Sequence, residues 1–513
     1  MLNQKVMNRI LSAIIITTLC INLTACSKKV QPTPAPSDVK TTTTAQTVKS
    51  TDPLNSYIIS GEILPSDKKV VASETINYIN AENVNLKEVY FHIYPNAFKT
   101  KETAPFLFDD FSAAYPNGFA EGSITIKSVS LNGNVLDMAK KTAISGKDST
   151  ILKIGLDTPL KPKSTVDIKI EFELKIPPAT ERFGMGTGYI NLGNWYPVAA
   201  VYDQTGWNLD PYYPIGDPFY SDTANYTVSL TAPEKYVLAA SGTMTEKVKK
   251  ENGNMWSFTA YSMRDFAVVG SDLYQTSEQM AGKTKVISYY YKADAEMGKK
   301  ALEFGVKSIE TFNQKFGVYP YPTYSVCETA FPSGMEYPGL VYISKNLYKA
   351  TDDITGLALT TIHETGHQYF YSLVGGDQID EAWLDEAFAT YSEITYLEMN
   401  LGKDAAKEQA DYNIQSGQAS IESKKFDGNV VKPLSSYKNW DDYGPAVYSV
   451  GATLLIELRK FVGDDAFWKI MQTYFREYQF KIATTENFKQ VAAKVSGKNM
   501  DELFKKYLGY SSK

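Results

Sequence analysis

The sequence predicts a multidomain chain, an antiparallel β domain followed by a mainly α-helical (α+β) domain that carries the chemistry. Three observations support this. From about Tyr57 to about Tyr274 apolar residues recur at every second position. From about Asp294 onward helical spacing takes over. Two of the chain's three histidines stand four residues apart within one of those helical segments. Period two sends alternate side chains to opposite faces of a strand, whereas residues three and four apart share one face of a helix.

Composition narrows the class. At 513 residues the chain is long enough for two to three folded domains. Hydrophobic residues are 43% and charged residues 21%, which excludes a largely disordered, collagen-like or coiled-coil chain. Lys and Arg number 52 against 58 Asp and Glu, so no excess of cations exists to neutralise phosphates, and a nucleic-acid partner is not expected. Of the three Cys, two fall in the first 26 residues. Cys327 is thus the only one in the body, where a disulfide framework is excluded.

The N-terminus reads as an export signal. Lys5 and Arg9 form a positive start, and the mostly apolar run Ile10 to Leu23 is short for a membrane span. It ends in Leu23-Thr24-Ala25-Cys26, which resembles a bacterial lipobox. The expectation is a lipoprotein signal peptide over residues 1–25 and a lipid on Cys26. A Thr/Pro-rich tether over 26–55 would then hold the body off the extracytoplasmic face of a bilayer.

The β-rich domain is expected over 56–275. Its clearest strand carries Val166, Ile168, Ile170, Phe172, Leu174 and Ile176 on one face, with Asp167, Lys169, Glu171, Glu173 and Lys175 on the other. Tyr226, Val228 and Leu230 alternate similarly before Pro233, and Val89 to Tyr94 is a further candidate. His92, in VYFHIYP, reads as a packed strand residue, and Cys327 as a small buried hydrophobe.

The catalytic domain is expected over 276–513. Asp352 and Asp353 can cap a helix whose Ile354, Leu357, Ala358 and Ile362 share a face and which runs to Gly375 and Gly376. A second helix spans about Asp380 to Asn400 and stops at Gly402. Pro445 suits a first helical turn and opens a third, ending at Gly463. A later one runs near Glu486 to Val495, before Gly497.

The first of these helices carries His363-Glu364-Thr365-Gly366-His367. Imidazoles at i and i+4 lie one turn apart and can share one Zn²⁺ at about 2.0–2.1 Å. Glu364 follows the first ligand directly, where a carboxylate can take a proton from the attacking water. Eighteen residues separate His367 from Glu386, in Trp383-Leu384-Asp385-Glu386-Ala387-Phe388-Ala389. With Leu384, Phe388 and Tyr391 on the apolar face, Glu386 falls on another with Thr390 and Glu393. A carboxylate there completes a His₂Glu set with a fourth position open, the pattern of a catalytic zinc site.

These segments resemble the aminopeptidase N family of gluzincin zinc metallopeptidases. Ser333-Gly334-Met335-Glu336-Tyr337 is similar to that family's Gly-x-Met-Glu-Asn exopeptidase motif, and Tyr448-Ser449-Val450-Gly451-Ala452 to its Tyr-x-x-Gly-Ala segment. A looser likeness covers Asn194-Trp195-Tyr196-Pro197 and Arg264-Asp265-Phe266. The resemblance implies a saddle-like β domain followed by a thermolysin-like catalytic domain, with one Zn²⁺ per chain and peptide substrates. It implies that Gly334, Met335 and Glu336 bind substrate, Glu336 holding the free α-amine, and that Tyr448 stabilises the oxyanion. Departures are Ser333 for Gly, Tyr337 for Asn and Val450 for Lys. The first two bear on the wall around the substrate's first side chain. The sequence also stops where the family's catalytic domain stops, without its large C-terminal helical-repeat domain, so a more open site is expected.

The leading reading is a membrane-anchored zinc aminopeptidase acting outside the cytoplasm. An endopeptidase with the same zinc site is the alternative within the class. A surface lipoprotein that keeps the fold without catalysis is the alternative outside it, weighed against the presence of His363, Glu364, His367, Glu386 and Tyr448.

Overall fold

A computed structural model describes residues 49–423 and 426–511. Cys26, the signal segment and residues 26–48 of the tether lie outside the described residues. Among the described residues no helix is long and apolar enough to cross a membrane.

The alternating run becomes the strand Thr165–Lys175, with Val166, Ile168, Ile170, Phe172 and Leu174 buried. It lies inside an eight-stranded sheet. In order the strands are Thr243–Lys250, Gly253–Met263, Ala224–Ala232, Ser56–Leu64, Lys69–Ile79, Thr165–Lys175, Ser123–Leu131 and Asn134–Val135. The sheet is not wholly antiparallel as expected: Ser56–Leu64 runs parallel to Ala224–Ala232, with Ser56 opposite Asn225. Two four-stranded sheets and the two-stranded pair Tyr202–Asp203 and Gly206–Trp207 complete the β half. The strand Leu86–His92 sits in one of the four-stranded sheets, but Tyr94 does not continue it. Pro95 fixes φ and removes a ladder donor, so Tyr94–Lys99 tightens into a 3₁₀ turn.

The β half gives way to the helical half near Tyr274. The β half's last strand is Val268–Ser271, whereas Tyr274–Ala281 already pairs with Thr284–Tyr291. These two open a five-stranded sheet that continues through Thr323–Thr329 and Leu340–Ser344 to Gly334–Met335 at its edge. Helical spacing alone does not reveal its later strands. Every residue of Thr323–Thr329 is buried, so no polar alternation marks it.

The helices of eight residues or more are α1 (Ala295–Lys315), α2 (Thr355–His367), α3 (Trp383–Leu401), α4 (Lys403–Glu422), α5 (Gly451–Val462), α6 (Asp464–Tyr478), α7 (Thr485–Ser496) and α8 (Asp501–Leu508). Asp353 accepts from Thr355 N at 3.0 Å and so helps start α2. The expected run to Gly375 is cut short at His367. There Gln368 turns its side chain to the backbone of Glu336, Tyr337 and Gly339, and Phe370 to Val374 forms a tight reversal. Asp377 holds a turn by accepting from Ile379 N and Asp380 N, so α3 starts at Trp383 and not at Asp380. Pro445 opens a π-helical turn, Pro445–Val450, before α5. Such turns occur often at functional sites, and this one carries Tyr448.

The two halves share one continuous apolar core running from Tyr57 to Leu508. Arg264 staples them. Its buried guanidinium donates to the carbonyls of Ser221, Tyr371 and Lys481 at 2.8, 2.9 and 3.0 Å.

Candidate active site

Helices α2 and α3 pack closely enough to share a metal. A Cβ on Gly366 would lie 2.9 Å from Ser392 Cβ and 3.1 Å from Ala389 Cα, so the glycine lets the helices approach. This brings His363 and His367 from α2 against Glu386 from α3. Glu386 Oε2 stands 3.2 Å from His363 Nε2 and 3.4 Å from His367 Nε2. Donors at the corners of a tetrahedron with metal bonds of about 2.0–2.1 Å are roughly 3.3 Å apart, so these three fit one zinc ion.

The outer ring nitrogens are held as well. His363 Nδ1 lies 2.8 Å from Glu393 Oε1, and His367 Nδ1 bonds to Asp385 Oδ1. A carboxylate on the outer nitrogen fixes the tautomer and aims the inner nitrogen at the metal. The sequence reading put Glu393 on the Glu386 face but gave it no task, and passed over Asp385, which stands directly before the ligand. Burial disfavours charge on His363, yet hydrogen bonding to Glu386 and Glu393 pushes its pKa up to about 10. Burial works against ionisation of Glu386 too, but the two histidines hold it well below the usual carboxylate range. This is the electrostatics of a cation site: its three acids hold a positive charge on the imidazoles, where a bound metal would supply it.

Glu364 lies beside the set, buried, with Oε2 unpartnered. Burial, opposed by the histidines, pushes its pKa up to about 7, which suits proton transfer near neutral pH. The edge strand Gly334–Met335 passes so close that a Cβ on Gly334 would meet Glu364 Oε1 at 1.9 Å, which explains a glycine there. Glu336 follows at the end of the same edge. It is buried, not a solvated loop acid, and its Oε1 has no partner. Burial and then the charge of Asp217 push its pKa well up.

A cavity of about 600 Å³ joins these groups and is lined by Gly334, Glu336, His363, Glu364, Glu386 and Tyr448 among others. Met335 does not face it. Its side chain is buried and its Sδ accepts from Arg182 Nε at 2.9 Å, so a substrate-binding role for that side chain is not supported. Tyr337 does not face it either. Its ring points into the β half, where its hydroxyl donates to Asn194 Oδ1 at 3.0 Å, and Gly193 leaves room for it. Asn194 in turn donates to Asp265, which also accepts from Tyr196. The substitution for Asn therefore ties the edge strand to the β half and does not reshape the cavity wall. Arg182, Asp217, Phe108 and Trp440, which do line the cavity, carried no sequence signal. They come from loops or short turns whose spacing names no partner.

His92 is buried, stacked on Tyr94 at 4.8 Å, and Cys327 is a buried free thiol, as their apolar settings suggested.

Two histidines and a glutamate around one metal position, with a buried carboxylate alongside, are the donor set and base that a catalytic zinc site needs. Residues 300–507 match the peptidase family M1 domain. Among curated relatives, Aminopeptidase M1-D of Oryza sativa subsp. japonica is 27% identical over 246 residues, covering 44% of this chain and 27% of that protein. Aminopeptidase N of Lactococcus lactis subsp. lactis is 27% identical over 222 residues, covering 40% and 26%. The chain thus spans about a quarter of the length of these two relatives. The fold is similar to that of an M1 zinc metallopeptidase from Deinococcus radiodurans, with a TM-score of 0.62 at 15% identity over 89% of this chain and 93% of the other. That neighbour shares the order of a β-rich domain followed by a helical catalytic domain.

Proposed function

We propose that this chain is a zinc-dependent aminopeptidase that removes N-terminal residues from peptides. One observation carries the step from metallopeptidase to aminopeptidase. Glu336 is buried in the same cavity as the histidine pair, with an oxygen that no protein group satisfies. A substrate ammonium supplies what that carboxylate lacks, and sets the first peptide bond beside Glu364.

His363, His367 and Glu386 would hold the zinc, with Asp385 and Glu393 orienting the imidazoles. Bound there, the ion lowers the pKa of water toward about 7 and polarises a carbonyl. The chain's own groups do the rest. Glu364 takes a proton from the attacking water as the new C–O bond forms. It returns that proton to the nitrogen as the C–N bond breaks. Tyr448 offers its hydroxyl to the oxygen on which charge develops. Glu336 keeps the amine in register. The test is a panel of aminoacyl fluorogenic substrates, with and without chelator, beside their N-acetylated forms. Chelator-sensitive release from free-amine substrates is expected. Equal or better cleavage of blocked peptides at internal bonds would move the reading to an endopeptidase.

The proposal includes location. The lipobox-like segment before Cys26 and the polar tether after it support a lipid anchor with the body outside the cytoplasm. Labelled fatty acid should enter the protein in its host and be lost with Cys26→Ala. A wild-type chain that never takes up label would remove the anchor from the proposal.

A further inference from the structure

Phe108 stands out at the mouth of the cavity. Its backbone is left-handed, φ 56° and ψ 28°, and Asp109 follows at φ 55°. Two consecutive left-handed residues without glycine are uncommon, and for a bulky residue this strain persists only where the surroundings enforce it. The residue is 52% exposed and lines the cavity's edge.

The loop around it is braced. Phe106, Phe111, Tyr115 and Phe119 pack into a small core of their own, with Phe111 stacked on Tyr115 at 4.6 Å. Tyr115 Oη donates to Pro105 O at 3.0 Å, and Asp110 Oδ1 accepts from Ala113 N at 3.0 Å. The loop therefore presents Phe108 in a fixed place. That place is opposite Trp440, which belongs to the other half of the molecule. The rings lie 4.9 Å apart between centroids at 53°, and both residues line the cavity.

The Phe108 loop packs beside the Arg182 segment. Leu107 N donates to Glu181 Oε1 at 3.3 Å. The next residue, Arg182, reaches Met335 Sδ at 2.9 Å, directly before Glu336. Trp440 in turn leads inward through Tyr443 at 5.4 Å and Tyr448 at 6.2 Å to His363 at 5.8 Å. The two rings thus bridge the halves across the cavity that Glu336 also lines.

We infer that Phe108 and Trp440 form an aromatic gate that makes the Glu336 end of the cavity blind, so that larger groups ahead of the first residue are excluded by steric contact as well as by charge. This rests on the aminopeptidase reading above and adds the size limit at its amine end.

The test separates size from charge by blocking the amine twice, with a small acetyl group and with a bulky benzyloxycarbonyl group, on the same C-terminally labelled peptide. Both blocks remove the ammonium, so the share of Glu336 cancels in their ratio. Peptide affinities are read by anisotropy on zinc-loaded full-length Glu364→Gln protein, with kcat/KM on the Glu364 chain as a second readout. The acetyl form should be favoured at least tenfold when the gate is intact. Phe108→Gly, which also relaxes the left-handed backbone, should bring the ratio within threefold, and Trp440→Ala likewise. Phe108→Tyr should keep it. Joining the two open variants should add little, since each removes the same contact. A ratio near one in the gated protein, or one unmoved by Phe108→Gly, overturns the gate. Free-amine peptides that neither bind nor turn over in a zinc-loaded chain overturn the aminopeptidase reading and the gate together. A gate that fails while free-amine turnover stands leaves that reading intact.

Discussion

Tyr448 donates its hydroxyl to Oε1 of Glu386 across 2.5 Å, while Oε2 of the same carboxylate faces both histidines. The phenol therefore stands beside the metal position without being one of its ligands. Burial and the charge of Glu386 push its pKa up, so it stays protonated and able to donate. Tyr448→Phe should lower kcat by about 10²–10³ and leave zinc content near one per chain. A loss of bound zinc in step with activity would show that the residue shapes the ligand set and not the transition state.

Glu364 is next to a ligand but is not one. Glu364→Gln should abolish turnover and keep the metal, measured as zinc per chain after gel filtration. Substantial residual turnover would rule out the general-base role.

An ammonium held by Glu336 in a partly dry cleft makes a charge-assisted contact worth roughly 1.5–3 kcal/mol. Glu336→Ala should therefore lower kcat/KM on free-amine substrates by roughly 10–200-fold. Acetylating the substrate should cost a similar factor in the wild type and much less in the variant, because both changes delete one interaction. Additive losses would mean that Glu336 does not hold the amine.

Asp385 and Glu393 act through the histidines. Asp385→Ala and Glu393→Ala should each weaken zinc binding by about 10–100-fold in chelator competition. Glu393→Gln, which keeps an oxygen facing His363 Nδ1, should lose less. Unchanged affinity in both alanine variants would remove the orienting role.

A fifth expectation concerns pH and lies away from the metal. Glu328 is buried. Burial chiefly, and the neighbouring charge of Asp294 besides, push its pKa up from 4.5 to about 8, against the hydrogen bond from Tyr291 N at 2.8 Å. Between those two values the folded chain keeps a proton that the unfolded chain sheds. Stability therefore falls as pH rises through that window, at most by about 1.4 kcal/mol per pH unit. Glu328→Gln does not titrate and can still accept from Tyr291 N. Its melting temperature should match the wild type near pH 4.5 and exceed it increasingly up to about pH 8. A difference independent of pH would place the effect in packing.

The metal set was legible because its chemistry needs particular residues at particular spacings. One helical turn separates His363 from His367, and Glu386 lies on a helix shortly downstream. The alternating strand Thr165–Lys175 was legible because one of its faces is wet. What spacing could not show was pairing between distant segments. Tyr337 looked like a change in the cavity wall, yet it reaches Asn194, 143 residues away. Arg182 meets Asp217 at 2.6 Å and Met335 across the two halves, and neither partner has a periodic relation to it. Strand Thr323–Thr329 was hidden because burial on both faces erases the pattern that marks a strand.

The parallel pairing of Ser56–Leu64 with Ala224–Ala232 sets an order of events in time. The first strand of the body lies between a neighbour made at once, Lys69–Ile79, and one made far later. A polypeptide grows from its N-terminus at about 5–20 residues per second, so the interval between these partners is on the order of ten seconds or more. Through that interval one edge of Ser56–Leu64 has no neighbour, and an open edge invites pairing with other chains. The arrival of Ala224–Ala232 covers that edge, and Thr243–Lys250 and Gly253–Met263 must follow before the sheet is whole and the helical half can be laid against it.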